Sequence, residues 1–173
     1  NSVACAPQGL IQALCARGRA GELKNIKLQH LHTEGAAPYA EQEFEGVFQL
    51  ESYFVGHNVR KATQDGWADY IPVHLSETQK LIRMGITPVD VAMIQVCPPD
   101  KHGYVSMGTS VDATLAAVQT AKTVIAVINP NVPRAWGDAI IKLSDIDIFC
   151  EDNTPLIEAK PAQPSEQIGR AHV

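Results

Sequence analysis

The sequence has no CxxC pair and no Cys/His spacing that would close a tetrahedral zinc site; its four cysteines, Cys5, Cys15, Cys97 and Cys150, stand far apart. We expect all four to be buried free thiols, with no metal. Aromatic residues make up only 6% of the chain, and Trp67 and Trp136 are expected to pack rather than to stack on bases. No apolar run approaches the ~20 residues that span a bilayer, and no basic-then-apolar leader opens the chain, so the expectation is a cytoplasmic protein without a membrane partner. The 14 Lys and Arg are scattered among 19 Asp and Glu, for a net charge of -5, and this argues against nucleic acid as a partner.

What is present is an ordinary α/β composition, 45% hydrophobic over 173 residues, enough for one domain with a real core. The chain opens at Asn1 without Met and closes on Ile168 to Val173, directly after a helix start at Ser165-Glu166-Gln167. We expect a fragment, a split subunit or a trimmed chain, with a domain over 1–154 and a linker with the start of a helix over 155–173.

Apolar periodicity divides the chain. Leu10, Ile11, Leu14 and Cys15 recur at helical spacing, with Gly18 placed as a left-handed cap, and residues 25–31 alternate as a half-buried strand does. Thr33 to Gly46 is broken and polar, and is expected to be a long loop whose glutamates, with Glu51, are solvated. A short helix is expected from about Gly56 to Gly66, then a strand over 68–73. Ser76-Glu77-Thr78-Gln79 fits a capping box for a helix that Gly85 stops. Residues 89–97 and Thr123 to Ile128 are near-continuous apolar runs of the kind covered on both faces, separated by a helix over 111–121. The alternation predicts an α/β fold: a mostly parallel sheet with helices on both faces, and ligands beyond the carboxyl ends of its strands.

Two loops then draw the search. After Cys97 come Pro98 and Pro99, which stop a strand, then Gly103, Tyr104, Ser106 and Gly108, with Ser110 as the expected helix start. Such a turn fits an anion or carbonyl oxygen, or a tight crossover in which Ser110 merely caps a helix. After Ile128, the prolines of Asn129-Pro130-Asn131-Val132-Pro133-Arg134 stiffen a turn whose Arg134 either pairs with a carboxylate or phosphate or anchors the loop. His57 and Arg60 stand three apart, able to face one carboxylate from a helix. His30 and His32 share a strand face, and without a third ligand nearby we expect a packed or surface pair.

The stretch from Pro98 to Ser110 resembles the corresponding part of the acetyl-CoA hydrolase/transferase family, which includes 4-hydroxybutyrate and butyrate CoA-transferases. Phe54 to Ala62, Ala68 to Glu77 and Ile128 to Arg134 agree in order and spacing, so the resemblance covers nearly the whole chain. It implies a CoA-transferase-like amino-terminal domain, no bound cofactor, and coenzyme A and acyl-CoA as substrates. It implies transfer through a glutamyl-CoA intermediate, with hydrolysis when water replaces the acceptor acid. The family's nucleophilic glutamate and Gly-rich CoA loop correspond to positions past Val173, so the carboxyl-terminal domain of the same enzyme is an expected partner, as is a homo-oligomer. Gly56, His57, Asn58, Arg60, Gly103, Tyr104, Ser106, Gly108, Asn131 and Arg134 become the candidate substrate-binding residues. A non-catalytic module that binds acyl-CoA or a partner, and an unrelated sugar-phosphate isomerase-like enzyme, remain open beside this reading.

Overall fold

A computed structural model describes residues 3–158. The first half alternates α1 (Gln8–Arg19), β1 (Ile26–His30), β2 (Phe48–Ser52), α2 (Arg60–Asp65) and β3 (Ala68–Tyr70). The second half follows with α3 (Leu75–Arg83), β4 (Val91–Val96), β5 (Tyr104–Ser106), α4 (Thr114–Thr120), β6 (Thr123–Ile128), β7 (Ile140–Lys142) and β8 (Ile148–Glu151). Two parallel three-stranded sheets, β1-β2-β3 and β4-β6-β8, form the frame, and β5 and β7 make an antiparallel pair. The fold is α/β, and the parallel register runs without a slip from Ile26↔Phe48 to His30↔Ser52 and from Val91↔Thr123 to Val96↔Ile128.

Each sheet has its own apolar core. Ile11, Cys15, Phe44, Phe48, Leu50 and Val59 pack around the first, and Ile94, Val96, Val105, Met107, Val124 and Ala126 around the second. Fully burying a side chain of the Val, Leu, Ile or Phe kind stabilises by about 1.5–3 kcal/mol, so the continuous apolar runs of β4 and β6 are what hold the second sheet together. A third, smaller cluster of Cys5, Cys97, Val132 and Leu156 joins the amino-terminal turn to a strap formed by residues 152–157. Asn129, 1% exposed, ties β6 to that strap: its Nδ2 donates to Thr154 O at 2.8 Å, and its Oδ1 accepts from the Asn131 N–H at 2.9 Å.

Several local expectations need correction. Gly18 lies inside α1, where an added Cβ would stand 3.0 Å from the Phe48 ring and 3.1 Å from Phe44; its smallness serves packing, and Gly21 takes the left-handed turn at φ 75°. No side-chain hydrogen bond caps α3, so the box at Ser76 does not form; His74 precedes the helix and Gln79 donates to Asp112 O instead. The helix expected from Ser110 begins only at Thr114, after the Asp112 carboxylate accepts the Ala113 N–H at 2.6 Å. The stretch after Gly103 is not all loop, because Tyr104–Ser106 pairs with β7. Cys150 is exposed rather than buried, as are all four residues of β8 at the sheet edge, Ile148 and Phe149 among them.

Among the described residues no helix is long and apolar enough to cross a membrane, and no group of three His, Cys, Asp or Glu is placed to hold a metal. The helix start expected at Ser165 and the prolines Pro161 and Pro164 lie outside the described residues.

Candidate functional site

The loops that leave the carboxyl ends of β1, β2, β4 and β6 carry the candidate residues, as a parallel α/β sheet dictates. The loops after β1 and β2 meet at Gly56. A Cβ there would stand 2.8 Å from His32 Cε1, 2.9 Å from Asn58 Oδ1 and 3.0 Å from His32 Nδ1, so only glycine lets the backbone approach both side chains.

The orientation of Asn58 is fixed by its amide hydrogens, which Nδ2 donates to Thr33 O at 2.8 Å and Gly35 O at 3.1 Å. Its Oδ1 is therefore turned toward Gly56. Across the nook His32 Nε2 meets the Glu34 carboxylate at 2.9 Å; a carboxylate only accepts, so the proton lies on Nε2. Both His32 Nδ1 and Asn58 Oδ1 are buried and have no hydrogen-bond partner among the described residues. Two buried polar atoms left unpaired are costly unless a partner meets them. Beside them the Phe54 ring, 60% exposed, stands edge-on to His32 at 5.3 Å and 83°. The nook thus gathers two buried, unpaired polar atoms beneath an exposed aromatic ring.

His32, Glu34 and Phe54 are the residues that sequence reasoning did not select for this place. Glu34 is half-buried on His32 rather than solvated, and Glu51 and Glu43 pair with Lys27 and Arg19. His30 does pack inside, between Tyr39 and Ser52. His57 lies in the turn ahead of α2 and Arg60 is its first residue, so the two do not share a helix; both are exposed beside the nook.

The loops after β4 and β6 are held differently. Ser106 is 0% exposed, and its hydroxyl donates to Ala135 O at 2.9 Å and accepts from the N–H groups of Ala135 at 3.0 Å and Gly108 at 3.2 Å. Arg134 Nη2 donates to Pro98 O at 2.7 Å and Tyr104 O at 3.3 Å, with the Asp100 carboxylate 3.7 Å from Nη1. Asp100 itself accepts from Tyr104 N–H and His102 N–H; those bonds, Tyr104's first, and the Arg134 charge hold its carboxyl below the usual range. Gly103, at φ 78°, makes the turn between them. Asn131 Nδ2 reaches Asn129 Oδ1, Asn153 and Thr154 at 3.0 to 3.3 Å. Trp136, in contrast to the packing expected of it, is 79% exposed, whereas Trp67 donates to Ala40 O at 2.9 Å.

In this geometry Arg134 fixes one loop to the other. Replacing it by Met is expected to lower stability by about 1–2 kcal/mol through two lost charge-assisted bonds, read as a fall of a few degrees in thermal midpoint. A midpoint unchanged by Arg134→Met would show that the anchor carries no stability.

Residues 2–158 match the family described as the acetyl-CoA hydrolase/transferase N-terminal domain. The chain is 44% identical over 163 residues to a succinyl-CoA:acetate/propanoyl-CoA:succinate CoA transferase of Fasciola hepatica, covering 94% of this chain and 34% of that one. It is 41% identical over 136 residues to the 4-hydroxybutyrate coenzyme A transferase of Clostridium kluyveri, covering 79% and 32%. Among solved structures, a 4-hydroxybutyrate CoA-transferase from Porphyromonas gingivalis superposes with a TM-score of 0.71 at 27% identity, over 94% of this chain and 37% of that one. RipA from Yersinia pestis superposes at 0.83 and 25%, over 95% and 41%. The chain spans about a third of the length of the curated relatives it matches. With that match running across both sheets and the loops between them, the chain belongs to the acetyl-CoA hydrolase/transferase family, of which it carries the amino-terminal domain.

Proposed function

We propose that this chain is the amino-terminal half of a CoA-transferase that moves CoA between a short-chain acyl-CoA and a carboxylic acid. The observation that supports it is the 44% identity, across 94% of the chain, with a relative named as such an enzyme. In this reading a glutamate of the carboxyl-terminal domain attacks the thioester carbonyl, the C–S bond breaks and CoA leaves as thiolate, giving an acyl-glutamyl anhydride. The thiolate then attacks the glutamyl carbonyl and expels the first acid, which leaves a glutamyl-CoA thioester. An incoming carboxylate repeats the two steps in reverse, so every bond broken is formed again and no ATP is consumed.

This half supplies the walls. Gly56, His57, Asn58 and Arg60, with His32 and Phe54, face the acyl or acid group, and Gly103, Tyr104, Ser106, Gly108, Asn131 and Arg134 keep the opposing loops in place. Domain bounds near 154 belong to the same reading, as does assembly into a homo-oligomer. The bare apolar edge of β8 supports a cover supplied by the longer polypeptide.

The 173-residue chain alone is expected to show no exchange between butyryl-CoA and acetate. A polypeptide of the relatives' length that carries these residues is expected to show ping-pong kinetics, with borohydride trapping the glutamyl-CoA thioester as its alcohol, and releasing CoA, at a glutamate outside Asn1–Val173. Exchange by the short chain, or sequential kinetics with nothing trapped, would overturn the reading.

A further inference from the structure

A chain of hydrogen bonds runs behind the Gly56 nook, and its direction follows from counting protons. The Ser52 hydroxyl donates to Phe54 O at 2.7 Å, which uses its one proton. At the 2.8 Å contact between Ser52 Oγ and His30 Nε2, the hydrogen therefore belongs to the imidazole. A neutral imidazole carries one N–H, so His30 Nδ1 is a bare lone pair and accepts from the Tyr39 hydroxyl at 2.8 Å. Tyr39 has then used its own proton, and at 2.9 Å its oxygen accepts from Thr33 Oγ1. Thr33, Tyr39, His30 and Ser52 are all buried, and burial pushes the His30 pKa down to about 4, so the neutral ring assumed in the count is the one present near neutral pH.

The relay Thr33 → Tyr39 → His30 → Ser52 → Phe54 O begins and ends on the two loops that form the nook. Asn58 closes it into a ring by donating to Thr33 O, and Gly56 N–H donates to Phe54 O at 3.1 Å. We propose that His30, as its Nε2–H tautomer, is the positioning residue of this site: it joins the ends of β1 and β2 and through them sets where Phe54, Gly56 and Asn58 stand against His32. What the nook binds rests on the function proposed above; the direction of the relay does not. No other tautomer satisfies all four contacts, because an N–H on Nδ1 would face Tyr39 with its proton and leave Ser52 with two acceptors for one hydrogen. Such directional networks fix a single geometry more sharply than apolar contacts do.

The test has two arms. In the 15N-labelled chain, His30 is expected to show a protonated Nε2 and a bare Nδ1, unchanged between pH 6 and about 8. Thr33→Val and Tyr39→Phe are expected to shift the amide signals of Gly35, Gly56 and Asn58 and leave those of Val96 and Ile128 in place, whereas Thr33→Ser leaves all of them unmoved. In the polypeptide that carries out transfer, Thr33→Val is expected to raise KM for the acid about tenfold, with kcat within about threefold, and Thr33→Ser to restore it. An Nδ1–H tautomer, or folded Thr33→Val and Tyr39→Phe variants with unmoved loop amides, would overturn the proposal. Should Tyr39→Phe fail to fold, the tautomer and Thr33→Val still decide. Absence of any transferase activity with the tautomer as expected would sink the functional reading and leave the relay standing.

Discussion

Gly108→Val is expected to cost more than about 3 kcal/mol of folding stability, enough to unfold much of a marginally stable domain. Two effects add. Gly108 sits at φ 62°, where a side chain strains the backbone by about 1–2 kcal/mol. Its Cβ would also stand 2.6 Å from Val132 Cγ1, 3.2 Å from Pro133 O and 3.3 Å from Cys5 Sγ, inside the cluster that seams the two halves. Gly137→Val separates the two effects, because Gly137 has φ 69° and open space around it. Urea midpoints should fall far more for Gly108→Val than for Gly137→Val. Equal losses would mean that the contacts yield freely and that backbone strain is the whole cost. A fall in kcat/KM for Gly108→Val in an intact enzyme would on this account come through the fold.

Acid should weaken the first sheet through His30. The ring takes a proton near 6.5 when unfolded but only near 4 in its buried place, so the unfolded chain binds more protons across that window. Stability is therefore full above pH 6.5 and is lost as the pH falls toward 4, by on the order of 3 kcal/mol for this one group. Tyr39 gives the mirror image in alkali, since burial pushes its pKa up to about 12 and stability is lost as pH rises from 10 toward that value. Denaturant midpoints between pH 7.5 and 4.5 provide the check. The parent should fall steadily, and His30→Gln, less stable at pH 7.5, should fall much less steeply. Parallel slopes for the two would remove His30 as the cause.

The parts of the fold legible in the sequence are those fixed by local pattern. Thr123–Ile128 is an unbroken β-branched and apolar run, and β6 occupies those six residues without change. β1 and β4 follow the same way, since period and burial are written in adjacent residues, whereas β2 and β8 were not expected as strands. The misses are non-local. Tyr104–Ser106 is a strand only because Ile140–Lys142 lies opposite, and nothing near Tyr104 announces that partner. Gly18 and Ser76 looked like punctuation because glycine and serine usually are; one is small to fit under two phenylalanines, and the other lies inside α3, which already begins at Leu75.

The site divides along the same line. Gly56 and Asn58 stand in one motif and meet in one nook, whereas His32 was expected as one of a packed or surface pair and Glu34 as a solvated acid. Their role depends on β1 and β2 lying side by side, a fact of topology that the spacing of residues within either strand does not contain. Ser106 shows the converse. A serine between glycines suits an anion, yet three backbone groups consume its hydroxyl.

The strap over 152–157 also bears on the order of events in folding. Each sheet closes from strands near one another in sequence, but the cluster that brings Leu156 and Cys5 together has nearly all of the described chain between those two residues. Closing so large a loop is entropically costly, so these contacts are expected on the late side of the barrier, absent from the transition state and present in the native fold. Interactions of that kind leave the folding rate almost untouched and govern the rate of unfolding. The seam at Cys5, Cys97, Val132 and Leu156 is accordingly expected to act as a latch in the kinetic sense, its loss read as faster unfolding at an unchanged folding rate.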